Sequence, residues 1–246
     1  MSGTRIRCFA ADVDGTIADY AGRIDLNAAA TLRRIDDLGY NVIFVSGRSA
    51  WELYTLATYI GTTLLSVGEN GGVISTSPSD IRLLGDKSYG LMAYDYLSKR
   101  IKDVEIKPTM PRFTEVVLKR SFDLTEGEKI LEESGLPVKL VDSTFAYHIS
   151  NRDVNKGNGL RIALQQLGIK PSETVAIGDS DTDISMFETC GHSIAVGNAT
   201  EGALKHAKYK VNSHLGAGLI EAVQLAFQKL IGSGIEDLVK KKNELP

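Results

Sequence analysis

The sequence predicts an α/β protein: a parallel sheet with helices on both faces, into which a smaller α+β unit is inserted. Three observations predict it. Strand-like and helix-like segments alternate over residues 6–67. The alternation returns over residues 157–231. Between them the pattern changes to strand pairs with short connections.

Residues 6–11 form an apolar run that Asp12 ends abruptly, as a buried strand would. Over residues 27–38, Ala28, Leu32 and Ile35 recur at helical spacing, and Gly39 supplies a helix stop. Residues 41–45 are a second strand, followed by Ser46-Gly47-Arg48 and a helix over 49–59. Residues 64–67 are a third strand. In the middle, residues 94–101 and 126–134 read as helices, and 113–118, 138–141 and 145–150 as strands. That set predicts an antiparallel sheet with helices on one face. Beyond it, 157–167 reads as a helix closed by Gly168, 174–177 and 193–196 as strands, and 215–231 as an amphipathic helix. The tail after Gly232, with Lys240-Lys241-Lys242, reads as a frayed or solvated end. The expected division is a Rossmann-like core of residues 1–78 and 153–246, with residues 79–152 inserted.

Composition narrows the function. Lys and Arg number 28 against 31 Asp and Glu, a formal charge of −3, which speaks against nucleic-acid binding. A hydrophobic content of 43% excludes a disordered chain. No run approaches the ~18 apolar residues of a membrane span. Met1 to Arg7 shows no secretion-signal pattern, so a cytoplasmic protein is expected. Cys8 lies in an apolar run and reads as a core residue; with Cys190 it forms no zinc-binding pattern. The charge decides nothing between monomer and homodimer.

The chemistry gathers at strand ends, where open α/β sheets bind ligands. Asp12-Val13-Asp14-Gly15-Thr16 places two carboxylates after the first strand. Gly178-Asp179-Ser180-Asp181-Thr182-Asp183 places three within five residues after another. Three such charges repel unless a cation sits among them, and an all-oxygen set suits Mg²⁺ better than Zn²⁺. Either cluster alone reads equally as turn or helix-start chemistry; Asp181 stays in that class. Ser46 and Gly47 offer a hydroxyl and an amide at a helix mouth, a phosphate seat or a plain helix cap. Lys156, before the 157–167 helix, fits a phosphoryl oxygen or open solvent.

Taken in order, Asp12 to Thr16, Ser46, Lys156 and Gly178 to Asp183 resemble the four motifs of the haloacid dehalogenase superfamily of phosphotransferases. Gly68-Glu69-Asn70-Gly71-Gly72 before the insertion resembles its Cof-like subgroup. The modest length, short cap and Asn151-Arg152-Asp153 approach are most similar to archaeal-type phosphoglycolate phosphatases. The resemblance implies a Mg²⁺-dependent phosphatase acting on a small phosphorylated metabolite, 2-phosphoglycolate foremost. It implies Asp12 as nucleophile and Asp14 as general acid and base. It implies Asp12, the Asp14 carbonyl, Asp179 and Asp183 as metal ligands, Asp183 directly or through water. Ser46, Gly47 and Lys156 would hold phosphate oxygens. Relatives resemble Gly-Asp-Ser-x-Asn-Asp, whereas Thr182 stands here at the Asn position, with a hydroxyl able to bond a neighbouring carboxylate.

The insertion must then read the leaving group. Arg112 is the candidate partner for a substrate carboxylate, with a surface arginine as the alternative. His148 reads as a structural histidine within reach of the site, and Trp51 as a helix packing residue. Phosphatases of sugar phosphates or mannosyl-phosphoglycerate share the motifs, as do phosphomannomutase-like enzymes; no dense cationic patch marks a second phosphate site. An aspartate-phosphorylated sensing module is the non-enzyme alternative, but such modules lack the long insertion.

Overall fold

The computed structural model describes residues 5–143, 146–232 and 234. The first half of the core runs β1 (Cys8–Ala11), α1 (Leu26–Asp37), β2 (Asn41–Phe44), α2 (Ala50–Ile60), β3 (Ser66–Gly68), β4 (Val73–Ser75) and β5 (Ile81–Leu83). The inserted unit is α3 (Lys87–Ser98), β6 (Val116–Leu118), α4 (Leu124–Glu133), β7 (Val138–Asp142) and β8 (Tyr147–Asn151). The chain returns through α5 (Lys156–Gln166), β9 (Thr174–Gly178), α6 (Ile184–Thr189), β10 (His192–Ala195), α7 (Glu201–His206), β11 (Tyr209–Lys210) and α8 (Leu215–Ala226).

The core sheet is parallel, in the order β11-β10-β9-β1-β2. A single parallel bridge between Val45 and Val67 carries it on to β3. Every residue of β1 and β9 is buried, as central strands of a doubly covered sheet must be. Alternation sorts their side chains between two layers. Phe9 and Ala11 pack with Leu32, Leu53, Leu219 and Phe227, against α1, α2 and α8. Cys8 and Ala10 pack with Leu160, Leu164, Met186 and Phe187, against α5 and α6. Cys8 and Cys190 are both buried and free.

The local signals act where the sequence places them. Asp25 caps α1 by accepting from the Asn27 and Ala28 amides, and Gly39 follows the helix end with a positive φ. Ser49 and Glu52 close a capping box on α2, so Ser49 rather than Ser46 is the cap. The structure departs from expectation in the short elements. A β3-β4-β5 antiparallel sheet forms, and the expected 78/79 boundary falls in the turn between two of its strands. Helix α3 begins at Lys87, capped by Asp86, seven residues ahead of the expected start at Tyr94. The α8 helix ends in a π turn over Phe227–Ile231. Phe145, expected to start a strand, and the lysine tail lie outside the described residues.

The inserted unit is an antiparallel sheet in the order β6-β8-β7. Val116, Leu118, Leu140, Tyr147 and Ile149 pack with Ala93, Leu97 and Leu131 of α3 and α4. The alternate residues Glu115, His148 and Ser150 are buried too, without joining that apolar cluster.

Phe9 anchors the larger layer, stacked on Phe227 at 5.9 Å and edge-on to Tyr40 at 5.8 Å. Phe9→Ala is expected to lower unfolding free energy by about 3–5 kcal/mol in urea denaturation, the cost of truncating a fully packed aromatic. A loss below about 1 kcal/mol would show that this layer does not carry the core.

Candidate active site

The strand order builds the site. Ala11 lies opposite Phe44 on one neighbour and opposite Ile177 on the other. The chain leaving β1 at Asp12 therefore emerges between Ser46 and Asp179. The Asp12 amide donates to the Ile177 carbonyl at 2.9 Å, carrying the ladder one residue past β1. The Ser46 amide donates to the Val67 carbonyl at 2.9 Å. Three sequence-distant loops thus open side by side at the carboxyl edge of the sheet.

Asp12, Asp179 and Asp183 are all buried, and one oxygen of each lies within 4.8 Å of the others. Lys156, the first residue of α5, is 3% exposed and stands between two of them. Its Nζ donates to Asp12 Oδ1 at 2.8 Å and to Asp183 Oδ1 at 2.5 Å. The other Asp183 oxygen accepts from the Asp179 and Ser180 amides, each at 2.9 Å. Thr16 donates to Asp179 Oδ1 at 3.2 Å. Gly15 is obligatory here: its φ is +83°, and a Cβ would stand 2.2 Å from Asp179 Oδ2.

The electrostatics of this cluster call for a cation. Burial pushes the Asp12 carboxyl well above its usual range; Lys156 opposes the rise, while Asp183 and Asp179 add to it. Burial, with Asp183 adding, pushes Asp179 up to about 7. Burial disfavours the Lys156 ammonium, yet the Asp12 and Asp183 charges outweigh it and hold that group well above its ordinary value. Three buried carboxylates face one ammonium, leaving an excess of negative charge in the cluster. All-oxygen donors in that arrangement fit a hard divalent cation.

The remaining expected residues surround one cavity of about 520 Å³. Asp12, Asp14, Ser46, Gly47, Arg112, His148, Lys156 and Asp179 all line it. Ser46 is 1% exposed and does not cap α2, which removes its alternative role. Burial likewise removes the solvent-facing reading of Lys156. Asp183 is fully buried and bonds Lys156 and the Asp179 and Ser180 amides. Asp14 stands apart: its carboxylate is half exposed and held by Arg48 through Nε at 2.8 Å and Nη2 at 2.7 Å. Asp181 accepts from Thr200 Oγ1 at 2.6 Å, outside the carboxylate cluster. The Thr182 hydroxyl meets Ser180 Oγ at 2.8 Å, and Ser180 Oγ in turn lies 3.1 Å from Asp183 Oδ2.

Arg112 is no surface arginine. Its side chain is 8% exposed and bonds the Glu115 carboxylate at 2.7 Å and the Gly47 carbonyl. Its Nε is buried and has no partner among the described residues. Glu115 in turn meets His148 Nδ1 at 3.0 Å, and His148 Nε2 meets Ser143 Oγ at 2.9 Å. Burial pushes the Glu115 carboxyl up, but the His148 and Arg112 charges overcome it and hold it below its usual range. Trp51 packs edge-on against Phe113 at 5.5 Å, across the junction between α2 and the insertion.

Sequence reasoning passed over Arg48, Glu115 and Asn198. Asn198 donates to the Gly15 carbonyl at 2.8 Å and to Asp179 at 3.5 Å. It follows a buried strand, as Asp12 and Asp179 do, so the same strand-end signal was available for it.

A sequence profile of the haloacid dehalogenase-like hydrolases matches residues 9–87 and 116–223. The chain belongs to this family. The phosphoglycolate phosphatase of Nitrosopumilus maritimus is 43% identical over 218 residues, 88% of this chain and 94% of that protein. That of Archaeoglobus fulgidus is 38% identical over 220 residues, 89% and 96% of the two. A crystal structure of a Thermoplasma acidophilum protein shares the fold with a TM-score of 0.82 at 22% identity, covering 91% of this chain and 99% of that one. The sucrose-phosphatase of a Synechocystis species does so with a TM-score of 0.68 at 19% identity, over 89% and 97%. Among the described residues no helix is long and apolar enough to cross a membrane.

A hard divalent cation should stabilise this hydrolase by binding the folded carboxylate cluster. At a hundred times its dissociation constant, Mg²⁺ is expected to raise unfolding free energy by about 2.7 kcal/mol. Asp183→Asn should remove most of that gain. A melting temperature indifferent to Mg²⁺, Mn²⁺ and Ca²⁺ would show that the cluster holds no such ion.

Proposed function

We propose that the chain is a Mg²⁺-dependent phosphatase that hydrolyses 2-phosphoglycolate through an aspartyl-phosphate. The observation that carries this reading is the buried Asp12–Lys156–Asp183 arrangement beside Ser46 at the sheet edge. The archaeal phosphoglycolate phosphatases among its relatives support 2-phosphoglycolate as the substrate.

Asp12 is the nucleophile. One of its oxygens attacks phosphorus as the bond to the leaving oxygen breaks, which divides one hard displacement into two easier ones. The leaving oxygen takes a proton from Asp14. In the second step water attacks the aspartyl-phosphate, Asp14 takes up the proton, and the bond from Asp12 to phosphorus breaks. The Asp14 carboxylate must leave its Arg48 pair to reach that position. Ser46, the Gly47 amide and Lys156 hold the non-bridging oxygens, where charge spreads in the transition state. A Mg²⁺ bound by Asp12, the Asp14 carbonyl, Asp179 and Asp183 would offset the repulsion between the nucleophile and the phosphate dianion.

The inserted unit, from α3 to β8, acts as the cap that reads the leaving group. Arg112 supports a short, anionic one. Its guanidinium is bonded to the carbonyl of Gly47, the residue whose amide faces the phosphate. Arg112 lines the same cavity as Asp12 and Ser46, so a carboxylate paired with it there sits close to the phosphoryl group, as it does in a two-carbon phosphate ester.

Phosphate release from a metabolite panel, with Mg²⁺ and with EDTA, tests this. Preference for 2-phosphoglycolate, lost with EDTA, is expected. Preference for a sugar phosphate or mannosyl-phosphoglycerate would transfer the cap to a different substrate. Asp12→Asn should lower turnover by more than about a thousandfold, as loss of a covalent nucleophile does; turnover within tenfold of the parent would overturn the aspartyl-phosphate.

A further inference from the structure

The loop over residues 68–72, whose Asn70 lines the cavity, touches three separate parts of the site. Its backbone ties to the phosphate seat: the Glu69 amide donates to the Arg48 carbonyl at 2.9 Å, and the Asn70 amide to the Ser46 carbonyl at 3.1 Å. It abuts the start of α5, where Lys156 stands. Gly71, at φ +103°, lies so close that a Cβ would be 2.0 Å from the Asn155 carbonyl oxygen. The third contact is made by a side chain.

Glu69 is fully buried, and its carboxylate accepts from the inserted unit. Oε1 accepts from the Phe113 amide at 2.9 Å. Oε2 accepts from the Thr114 amide at 2.8 Å and the Thr114 hydroxyl at 2.9 Å. A buried carboxylate is costly unless its oxygens are satisfied, and three donors of two consecutive residues satisfy this one. The loop also holds strained backbone. Glu69 and Asn70 both have positive φ, at 52° and 54°, a conformation that persists in non-glycine residues where surrounding contacts over-determine it. Phe113 and Thr114 directly follow Arg112, whose guanidinium reaches back to Gly47.

We propose that Glu69 is a positioning residue for substrate discrimination: its carboxylate fixes residues 113 and 114 against the phosphate seat, and so sets the distance from Arg112 to the phosphoryl group. This rests on Arg112 as the partner of the leaving-group carboxylate. Glu69 touches neither substrate nor metal. It serves as the fixed end of a short ruler, with Lys156 and Ser46 at the phosphate mark and Arg112 at the carboxylate mark. The ligands selected are phosphomonoesters whose second negative charge lies one or two carbons from the ester oxygen.

The test compares 2-phosphoglycolate with p-nitrophenyl phosphate, which has no carboxylate. Glu69→Gln places an NH₂ group against amide donors and loosens the segment. It is expected to raise KM for 2-phosphoglycolate by about tenfold, the effect of disturbing a charge-assisted contact worth ~1.4 kcal/mol. The kcat for both substrates and KM for the aryl phosphate should stay within about threefold. Arg112→Ala should raise KM for 2-phosphoglycolate more than KM for the aryl phosphate, and Glu69→Gln/Arg112→Ala should be no worse than Arg112→Ala, because residues acting through one contact are not additive. Thr114→Val, which removes one donor and keeps the shape, should shift the same KM in the same direction. Should Arg112→Ala split the substrates while Glu69→Gln and Thr114→Val match the parent, Glu69 has no positioning role. Should Glu69→Gln weaken both substrates equally, or the double variant show additive losses, its role is structural only. Should Arg112→Ala affect both substrates equally, the carboxylate reading fails and the ruler fails with it.

Discussion

One buried ammonium holds this site together. Lys156 joins Asp12 to Asp183 among buried groups, and its charge offsets the cost of burying theirs. Everything nearby serves that contact. The fully buried strands β1 and β9 set two of the carboxylates in adjacent lanes, and α5 starts at the residue that must face them. The amides of the 179–183 turn grip the Asp183 oxygen that the lysine leaves free. The surplus of negative charge that remains is what gives a metal ion a reason to enter.

Much of this was legible in the sequence, for a local reason. An all-apolar strand that stops at a carboxylate is visible in one segment of chain, so the Asp12 and Asp179 clusters stand out. Ser46 and Lys156 are different, because each reads equally well as a helix cap or a surface cation. Their burial is a tertiary fact, created by strand order and by a helix packed 144 residues downstream of its partner. Glu69 and Glu115 were hidden for the same reason. A buried glutamate has no local signature until its donors arrive from another unit.

The missed elements have physical causes as well. Strands β4 and β5 are three residues each, too short for alternation to register. Helix α3 contains Gly90, which lowers helix propensity. The structure uses that glycine for close packing, since a Cβ there would meet Val116 at 3.1 Å. Local preference yields to tertiary fit at such places.

The insertion has a consequence for how the chain is made. Strand β1 is hydrogen-bonded on one side to β2 and on the other to β9, and Thr16 waits for Asp179, 163 residues further on. During synthesis the amino-terminal half of the core leaves the ribosome with one flank of its central strand bare. At about 5–20 residues per second that flank stays open for roughly ten to thirty seconds, as a template for any passing extended chain. The insertion, with an apolar cluster built entirely from its own helices and strands, emerges complete within that interval. The order of events favours a folded cap borne on an unfinished core, and it gives chaperones a defined window in which to act.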